Sequence, residues 1–267
     1  MFKLEMDEAT WSRLLVLRQG GGEGVPTEAA YRLYAPIAGA TGRFVIAQVG
    51  QSLDGRIATP TGDARDVSGQ DGLAHLHRCR ALVDAVIVGI GTVRADDPRL
   101  SVRMVKGASP VRVIVDCHAE LDGSESLFHD GGAPVIVFRS ARAKGIVLPG
   151  AEIISLEPKA CGLDPHDILD ALAQRSLDRV LVEGGARTIA RFIAAGLVDR
   201  LHVAISPIII GSGPSGIALS PIESLAGAYR PVTEVYDLGT DILFDCALRP
   251  QRASGRQGQE VRVANEA

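Results

Sequence analysis

The sequence predicts an α/β fold: a mixed, mostly parallel sheet with helices on both faces and an antiparallel hairpin at its C-terminal end. Two patterns lead there. From Phe44 to about Ser206, short and continuously apolar runs alternate with amphipathic stretches, as expected of parallel strands that are buried on both faces and joined by crossover helices. Near the end, "VTEVYDLGTDILFDCAL" reads as two strands turning around Gly239, which implies antiparallel pairing. The chain has 267 residues, 46% hydrophobic and 22% charged, enough for one domain with extensions or for two small ones.

The elements follow in order. "MDEATWSRLLVLRQG" places Trp11, Leu14, Leu15 and Leu17 on one helical face and ends at Gly20, Gly21 and Gly22. "VPTEAAYRLYAP" adds a second short helix before Pro36, so residues 1–42 read as a helical N-terminal extension. "FVIAQVGQSLDGRIA" is a strand entering an Asp54-Gly55 turn, and "GQDGLAHLHRCRALVD" is a helix. "AVIVGI", "PVRVIVD", "APVIVFRS" and the weaker "AEIISL" are strands, followed by the helix "PHDILDALAQRSL". "RVLVEGG" is a strand, "ARTIARFIAAGLVD" a helix, and "RLHVAISPIII" a strand broken at Pro207. Residues 250–267, rich in Gly, Arg and Gln, read as a disordered tail.

Composition excludes several classes. A net charge of −4 gives no reason for nucleic acid or an anionic membrane as the main partner. Cys79, Cys117, Cys161 and Cys246 form no Cys-x-x-Cys pair, which points to reduced thiols in a cytosol rather than to metal or redox use. The acidic N-terminus has no apolar signal core, and no apolar run approaches membrane-spanning length.

Three stretches carry chemistry. In "VLVEGGARTIARF" a buried strand ends in Glu183, Gly184 and Gly185 make the turn, and a helix opens at once at Ala186, Arg187 and Thr188. Glycines let a ligand approach the backbone, and free N–H groups at a helix start suit a pyrophosphate. A carboxylate at a strand's carboxyl end faces the crevice where open α/β sheets bind ligands. The bland alternative is a strand-to-helix turn with no ligand. In "GIGTVRADDPRLSVR", Gly89 and Gly91 end a strand and Thr92 is placed to bond a phosphate, while Arg99 and Arg103, with Arg80 upstream, offer guanidinium forks for a phosphate monoester. As a Rossmann fingerprint this stretch fails, because Arg94 stands where the third glycine belongs, although Asp116 lies near the distance of the ribose-binding acid. The polar loop "SLDGRIATPTGDARDVSG" reads as a lid or as an ordinary hairpin loop. Arg139 and Ser140, after "PVIVF", are candidates for a 2′-phosphate by residue type. His75 and His77, two apart on a helix, point to different faces and make poor joint metal ligands. There is no Gly-x-Ser-x-Gly elbow and no P-loop.

Taken together, "SLDGRIATPTGD", "LHRCRALVDAVIVGIGTVRADDPRLSVR", "PVRVIVD", "VLVEGGARTIARFIAAGLVD" and "ISPIIIGSG" resemble the reductase domain of the bacterial riboflavin-biosynthesis deaminase/reductase, in order, from about Phe44 to Leu248. The resemblance implies a dihydrofolate-reductase-like fold over residues 43–249. It also implies NADPH as cofactor, a homodimer, and reduction of a phosphoribosylamino-pyrimidine to its ribitylamino form by hydride transfer to C1′. By position, Gly50, Thr92, Asp96, Cys117 and the run from Gly184 to Thr188 would hold the cofactor, Arg80, Leu100 and Arg103 the substrate, and Glu183 would contact the substrate and orient or protonate the ribosyl group. Three departures stand out. The zinc deaminase signature is absent, residues 1–42 have no counterpart, and Asp66 replaces the family's tryptophan after the Thr-Gly-Asp loop. The last keeps a paralogue acting on another small heterocycle or imine as an alternative, with a non-catalytic nucleotide-binding protein of the same fold as a third.

Overall fold

The computed structural model describes residues 1–22, 28–160 and 162–249. The expected tail at 250–267 and Cys161 lie outside them. The chain runs β1 (Phe2–Lys3), α1 (Glu8–Arg18), α2 (Ala29–Ala38), β2 (Phe44–Ser52), α3 (Gln70–Leu82), β3 (Ala85–Gly89), α4 (Ile90–Asp96) and β4 (Val111–Val115). It continues through β5 (Val135–Ser140), β6 (Ala151–Leu156), α5 (Pro165–Ala173), β7 (Arg179–Glu183), α6 (Ala186–Ala194), β8 (Arg200–Ser206), β9 (Val232–Asp237) and β10 (Ile242–Ala247). The strands form one ten-stranded sheet in the order β1-β9-β10-β8-β2-β7-β3-β4-β5-β6. Only β10 runs against its neighbours, pairing antiparallel with both β8 and β9. The expected class, mixed and mostly parallel with a C-terminal hairpin, is the one observed.

The alternation of side chains explains why the central strands read as unbroken apolar runs. Ile46, Val86, Val88, Ile114, Val137 and Leu181 face a core built with α1–α4. Val45, Ala47, Ala85, Ile87, Val113, Ile136, Phe138, Val180 and Val182 face a second core built with α5 and α6. Every other residue thus serves a different core, so both phases of the strand are hydrophobic.

The N-terminal helices belong to the first of these cores. Leu14, Leu33, Tyr34 and Ile37 are fully buried in it, and the Trp11 indole N–H donates to the Lys106 carbonyl at 2.9 Å. Two features differ from the sequence reading. Pro36 does not end α2, which continues to Ala38; Leu33, Tyr34, Ile37 and Ala38 are all buried, and that packing outweighs the one backbone bond proline removes in the last turn. In addition, Phe2 and Lys3 pair with Tyr236 and Asp237, so β1 rather than the hairpin forms that sheet edge.

The start of α3 is capped from the β9–β10 turn. The Asp241 carboxylate accepts from the Gly69 and Gly72 amides at 3.0 and 3.2 Å and also from the Ser206 hydroxyl. A side chain at Gly69 or Gly72 would strike Asp241, which accounts for both glycines. Among the described residues no helix is long and apolar enough to cross a membrane.

Candidate active site

β7 and β3 are neighbours, and their carboxyl ends deliver two strand-to-helix turns side by side. The turns interlock. A Cβ on Gly89 would sit 2.5 Å from Thr188 Oγ1, and one on Gly185 would sit 3.1 Å from Thr92 Oγ1. Gly184 and Gly185 have φ of +61° and +76°, which only glycine adopts freely. Each glycine thus makes room for the other turn's threonine, which brings Thr92, Gly184, Gly185 and Thr188 together. Gly185, the N-cap of α6, has no side chain to cap the helix, which leaves the first turn open to an anion. Ala186 is half-buried there and Arg187 is exposed.

Glu183 does not stand free. Arg80 Nε donates to Glu183 Oε2 at 2.8 Å and Arg80 Nη2 donates to Oε1, while Arg80 Nη1 donates to the Ser101 carbonyl at 3.0 Å. Both side chains are nearly buried, at 7% and 12% exposure. Nε, Nη1 and Nη2 of Arg80 each make a bond inside the protein, which leaves one further N–H on each Nη nitrogen for a phosphate. The two Arg80 N–H groups fix the orientation of the Glu183 carboxylate. Asp96, the last residue of α4, is the other carboxyl here. Burial raises its pKa and the Glu183 charge adds to the effect.

The loop after α4 carries Arg99 and Arg103. Asp97 ends the helix in the left-handed region (φ +39°) and accepts from the Ser126 amide at 2.9 Å. Leu100 is also left-handed (φ +54°), a conformation that costs leucine about 1–2 kcal/mol. It is held there by burial, because its side chain is 1% exposed in the first core. With its side chain in the core, Leu100 has its backbone to offer a substrate. Arg103 is exposed, and its Nη1 donates to Ser101 Oγ at 2.9 Å. Burial lowers its pKa, as do the neighbouring charges of Arg80 and Arg99, so the guanidinium groups crowd one another at the crevice mouth.

Sequence reasoning missed His77, because a histidine beside a loop two dozen residues away gives no local signal. Its Nδ1 accepts from the Arg103 backbone amide at 3.0 Å and ties that loop to α3. Burial, then the Arg80 and Arg103 charges, lower its pKa to about 4. Between that value and an unfolded value of about 6.5 the unfolded state binds the extra proton, so stability falls as pH drops through this window. Urea unfolding of His77→Asn, which keeps the acceptor without titrating, is expected to show a shallower decline from pH 6.5 to 4 than the parent. An unchanged slope would contradict the assignment.

Other expected residues lie differently. A side chain at Gly50 would collide with Ser68 of the following loop, so this glycine is explained by loop packing. Cys117 is half-buried at the end of β4. The neighbouring Asp116 is fully buried and accepts from the Glu120 and Leu121 amides at 2.8 and 3.1 Å. Arg139 lies 3.8 Å from Asp116 and donates to the Ile146 carbonyl at 2.7 Å, while Ser140 Oγ accepts from the Arg142 amide. Both are 6% exposed or less, so neither presents itself to a 2′-phosphate. The loop after β2 is laced to the segment after β8: Asp54 accepts from the Ser52 hydroxyl and the Ile210 and Gly211 amides, which hold its pKa at about 2, and Arg56 donates to the Gly211 and Gly213 carbonyls. Asp66, in that loop, has φ +64°, a conformation aspartate tolerates far better than a bulky aromatic.

Residues 43–244 match the family model described as the RibD C-terminal domain. The chain belongs to this family. A relative from Methanothermobacter thermautotrophicus, named 2,5-diamino-6-ribosylamino-4(3H)-pyrimidinone 5′-phosphate reductase, is 33% identical over 215 residues, covering 77% of this chain and 98% of the relative. The riboflavin biosynthesis protein RibD of Bacillus amyloliquefaciens is 30% identical over 82% of this chain, which spans 60% of its length. Among solved structures, the deaminase/5-amino-6-(5-phosphoribosylamino)uracil reductase of Thermotoga maritima aligns with a TM-score of 0.67 at 28% identity, over 81% of this chain and 59% of that one. The family members that carry a second activity in the same chain are thus matched over little more than half their length.

Proposed function

We propose that this chain is an NADPH-dependent reductase of riboflavin biosynthesis, acting on 5-amino-6-(5-phosphoribosylamino)uracil or the related diaminopyrimidinone. The observation that carries this reading is the full-length match to the archaeal enzyme, 98% of which is covered by a third-identical alignment. The site agrees in its chemistry. The start of α6, capped by no side chain of Gly185, and the left-handed glycine turn before it suit the pyrophosphate of a dinucleotide. When bound, NADPH supplies the hydride delivered to C1′ of the opened ribosyl imine.

The remaining work falls to the protein. Thr92, Gly184, Gly185, Ala186, Arg187 and Thr188 would hold the cofactor. Glu183, held by Arg80, accepts hydroxyls of the ribosyl chain and fixes its rotation. Asp96, whose carboxyl keeps a proton more readily than an ordinary one, delivers it to the amine nitrogen. Arg103, with Arg99 beside it, takes the 5′-phosphate. Much of the rate then comes from holding C1′ against the hydride donor in one orientation. On this reading the enzyme works in the cytosol as a homodimer, with small-molecule partners and neither nucleic acid nor membrane.

Arg103→Ala tests the phosphate assignment. Losing a charge-assisted contact worth about 1.5–3 kcal/mol is expected to raise the substrate KM about 10- to 100-fold while NADPH affinity changes less than about twofold. Equal losses for both ligands would refute the role. A second reading, reduction of another small heterocycle or imine, is favoured by one observation: Asp66 occupies a left-handed position where the family resemblance expects tryptophan.

A further inference from the structure

Behind the crevice, under the same helix, three metal-ligating side chains converge in the core. His75 and Cys79 lie four apart on one face of α3, and His202 rises from β8 beneath them. All three are fully buried. His75 Nε2 is 3.2 Å from His202 Nδ1, Cys79 Sγ is 3.6 Å from His75 Nε2, and Cys79 Sγ is 4.0 Å from His202 Nδ1. An ion bound at about 2.0–2.1 Å to nitrogen and about 2.3 Å to sulfur, in tetrahedral or trigonal geometry, separates two nitrogens by about 3.3–3.6 Å and a nitrogen from a sulfur by about 3.6–3.8 Å. The triangle already present is close to these dimensions.

The far side of each imidazole is also supported. Tyr34 Oη lies 2.8 Å from His75 Nδ1, and Asp245 Oδ1 lies 3.2 Å from His202 Nε2, with Arg200 paired to the Asp245 carboxylate. Outer partners of this kind fix the tautomer and aim of metal-binding histidines. The register places Asp245, His202, Gln48 and Glu183 side by side across β10, β8, β2 and β7. The histidine–cysteine cluster and the Arg80–Glu183 pair therefore occupy neighbouring positions of one polar row beneath α3.

We propose that His75, Cys79 and His202 form a site for one thiophilic d10 cation, Zn2+ or Cu+, held inside the fold as a structural ion. The protons balance. Without an ion, the Tyr34 hydroxyl donates to His75 Nδ1 and His75 Nε2–H to His202 Nδ1, while His202 Nε2 faces Asp245 Oδ1 at 3.2 Å without making a hydrogen bond. On binding, the His75 proton moves from Nε2 to Nδ1, where Tyr34 Oη accepts it. Cys79 loses its thiol proton to solvent, and His202 keeps its tautomer. Two neutral imidazoles and a thiolate make a neutral complex with Cu+ and leave one positive charge with Zn2+. Burial without solvent favours the neutral complex. Closed zinc sites use four protein donors, whereas this cluster supplies three among the described residues. Both considerations favour Cu+ of the two.

The test uses the full-length chain, stripped of metal and shown by circular dichroism to be folded. It is titrated with Zn2+ against a chromophoric chelator and, without oxygen, with Cu+ against a bathocuproine chelator. The expected result is one equivalent per chain of at least one ion and one proton released per ion. X-ray absorption is expected to show one sulfur and two nitrogen neighbours. Affinity is expected to fall at least about 100-fold in Cys79→Ser and in His75→Gln, and to persist in Cys246→Ser. Failure of the folded parent to bind either ion stoichiometrically would overturn the proposal, leaving a metal-free hydrogen-bonded chain. Binding that survives both ligand substitutions would overturn it as well.

Discussion

Glu183→Ala is expected to abolish turnover and to cost about 3–5 kcal/mol of stability, the largest combined effect of any single change in the crevice. The reason is the state it leaves behind. Arg80 is nearly buried, two of its arms point at Glu183, and removing that carboxylate strands a positive charge with no partner. Removing both charges separates structure from chemistry. Arg80→Met combined with Glu183→Leu fills similar space without a buried charge, and such replacements are often neutral for stability. The double variant is expected to recover most of the urea midpoint and none of the activity. If it regained turnover, Glu183 would be a brace and nothing more. If Glu183→Ala cost under about 1 kcal/mol, the pair would be no more than a solvated surface bridge.

Gly185→Ala carries the second large effect, and this one acts on the cofactor. The residue sits at φ +76° and its added methyl would lie 3.1 Å from Thr92 Oγ1. The left-handed backbone costs an alanine about 1–2 kcal/mol. Relief shifts either Thr92 or the turn that opens α6. Fluorescence titration is expected to show NADPH affinity at least tenfold weaker, with the free energy of unfolding lowered by about the same 1–2 kcal/mol. Gly89→Ala, which drives a methyl to 2.5 Å from Thr188 Oγ1, is expected to act on the same ligand from the opposite turn. Full NADPH affinity in both variants would place the cofactor elsewhere.

Most of the sheet was legible in the sequence, because strands that serve two cores are apolar at every position and have nothing to disguise them. β1 was not, since two residues paired to Tyr236 and Asp237 carry no periodicity. α4 was hidden for a related reason: seven residues offer one full apolar repeat, and the helix breaks at once on a left-handed Asp97. In the site, the glycine turns announced themselves through residue type. The pairing of Arg80 with Glu183, 103 positions apart, could not, because which partner a buried arginine finds depends on the register of β7 under α3. The same blindness left the burial of the Leu100 side chain and the internal bond of Arg139 unseen, and left His77 without a role. It also split His75 from its true neighbours. His77 was compared with it because the two are close in sequence, whereas Cys79 and His202 are close in space.

The crevice between the β3 and β7 turns is proposed to reduce a ribosylamino-pyrimidine phosphate. Purified chain, NADPH and 5-amino-6-(5-phosphoribosylamino)uracil are to be mixed and product identified by mass, in parallel with the diaminopyrimidinone analogue. The expected result is the ribitylamino product from at least one of them, one NADPH consumed for each molecule formed, and none from the Glu183→Ala variant. NADPH that binds but is consumed with neither substrate would contradict it.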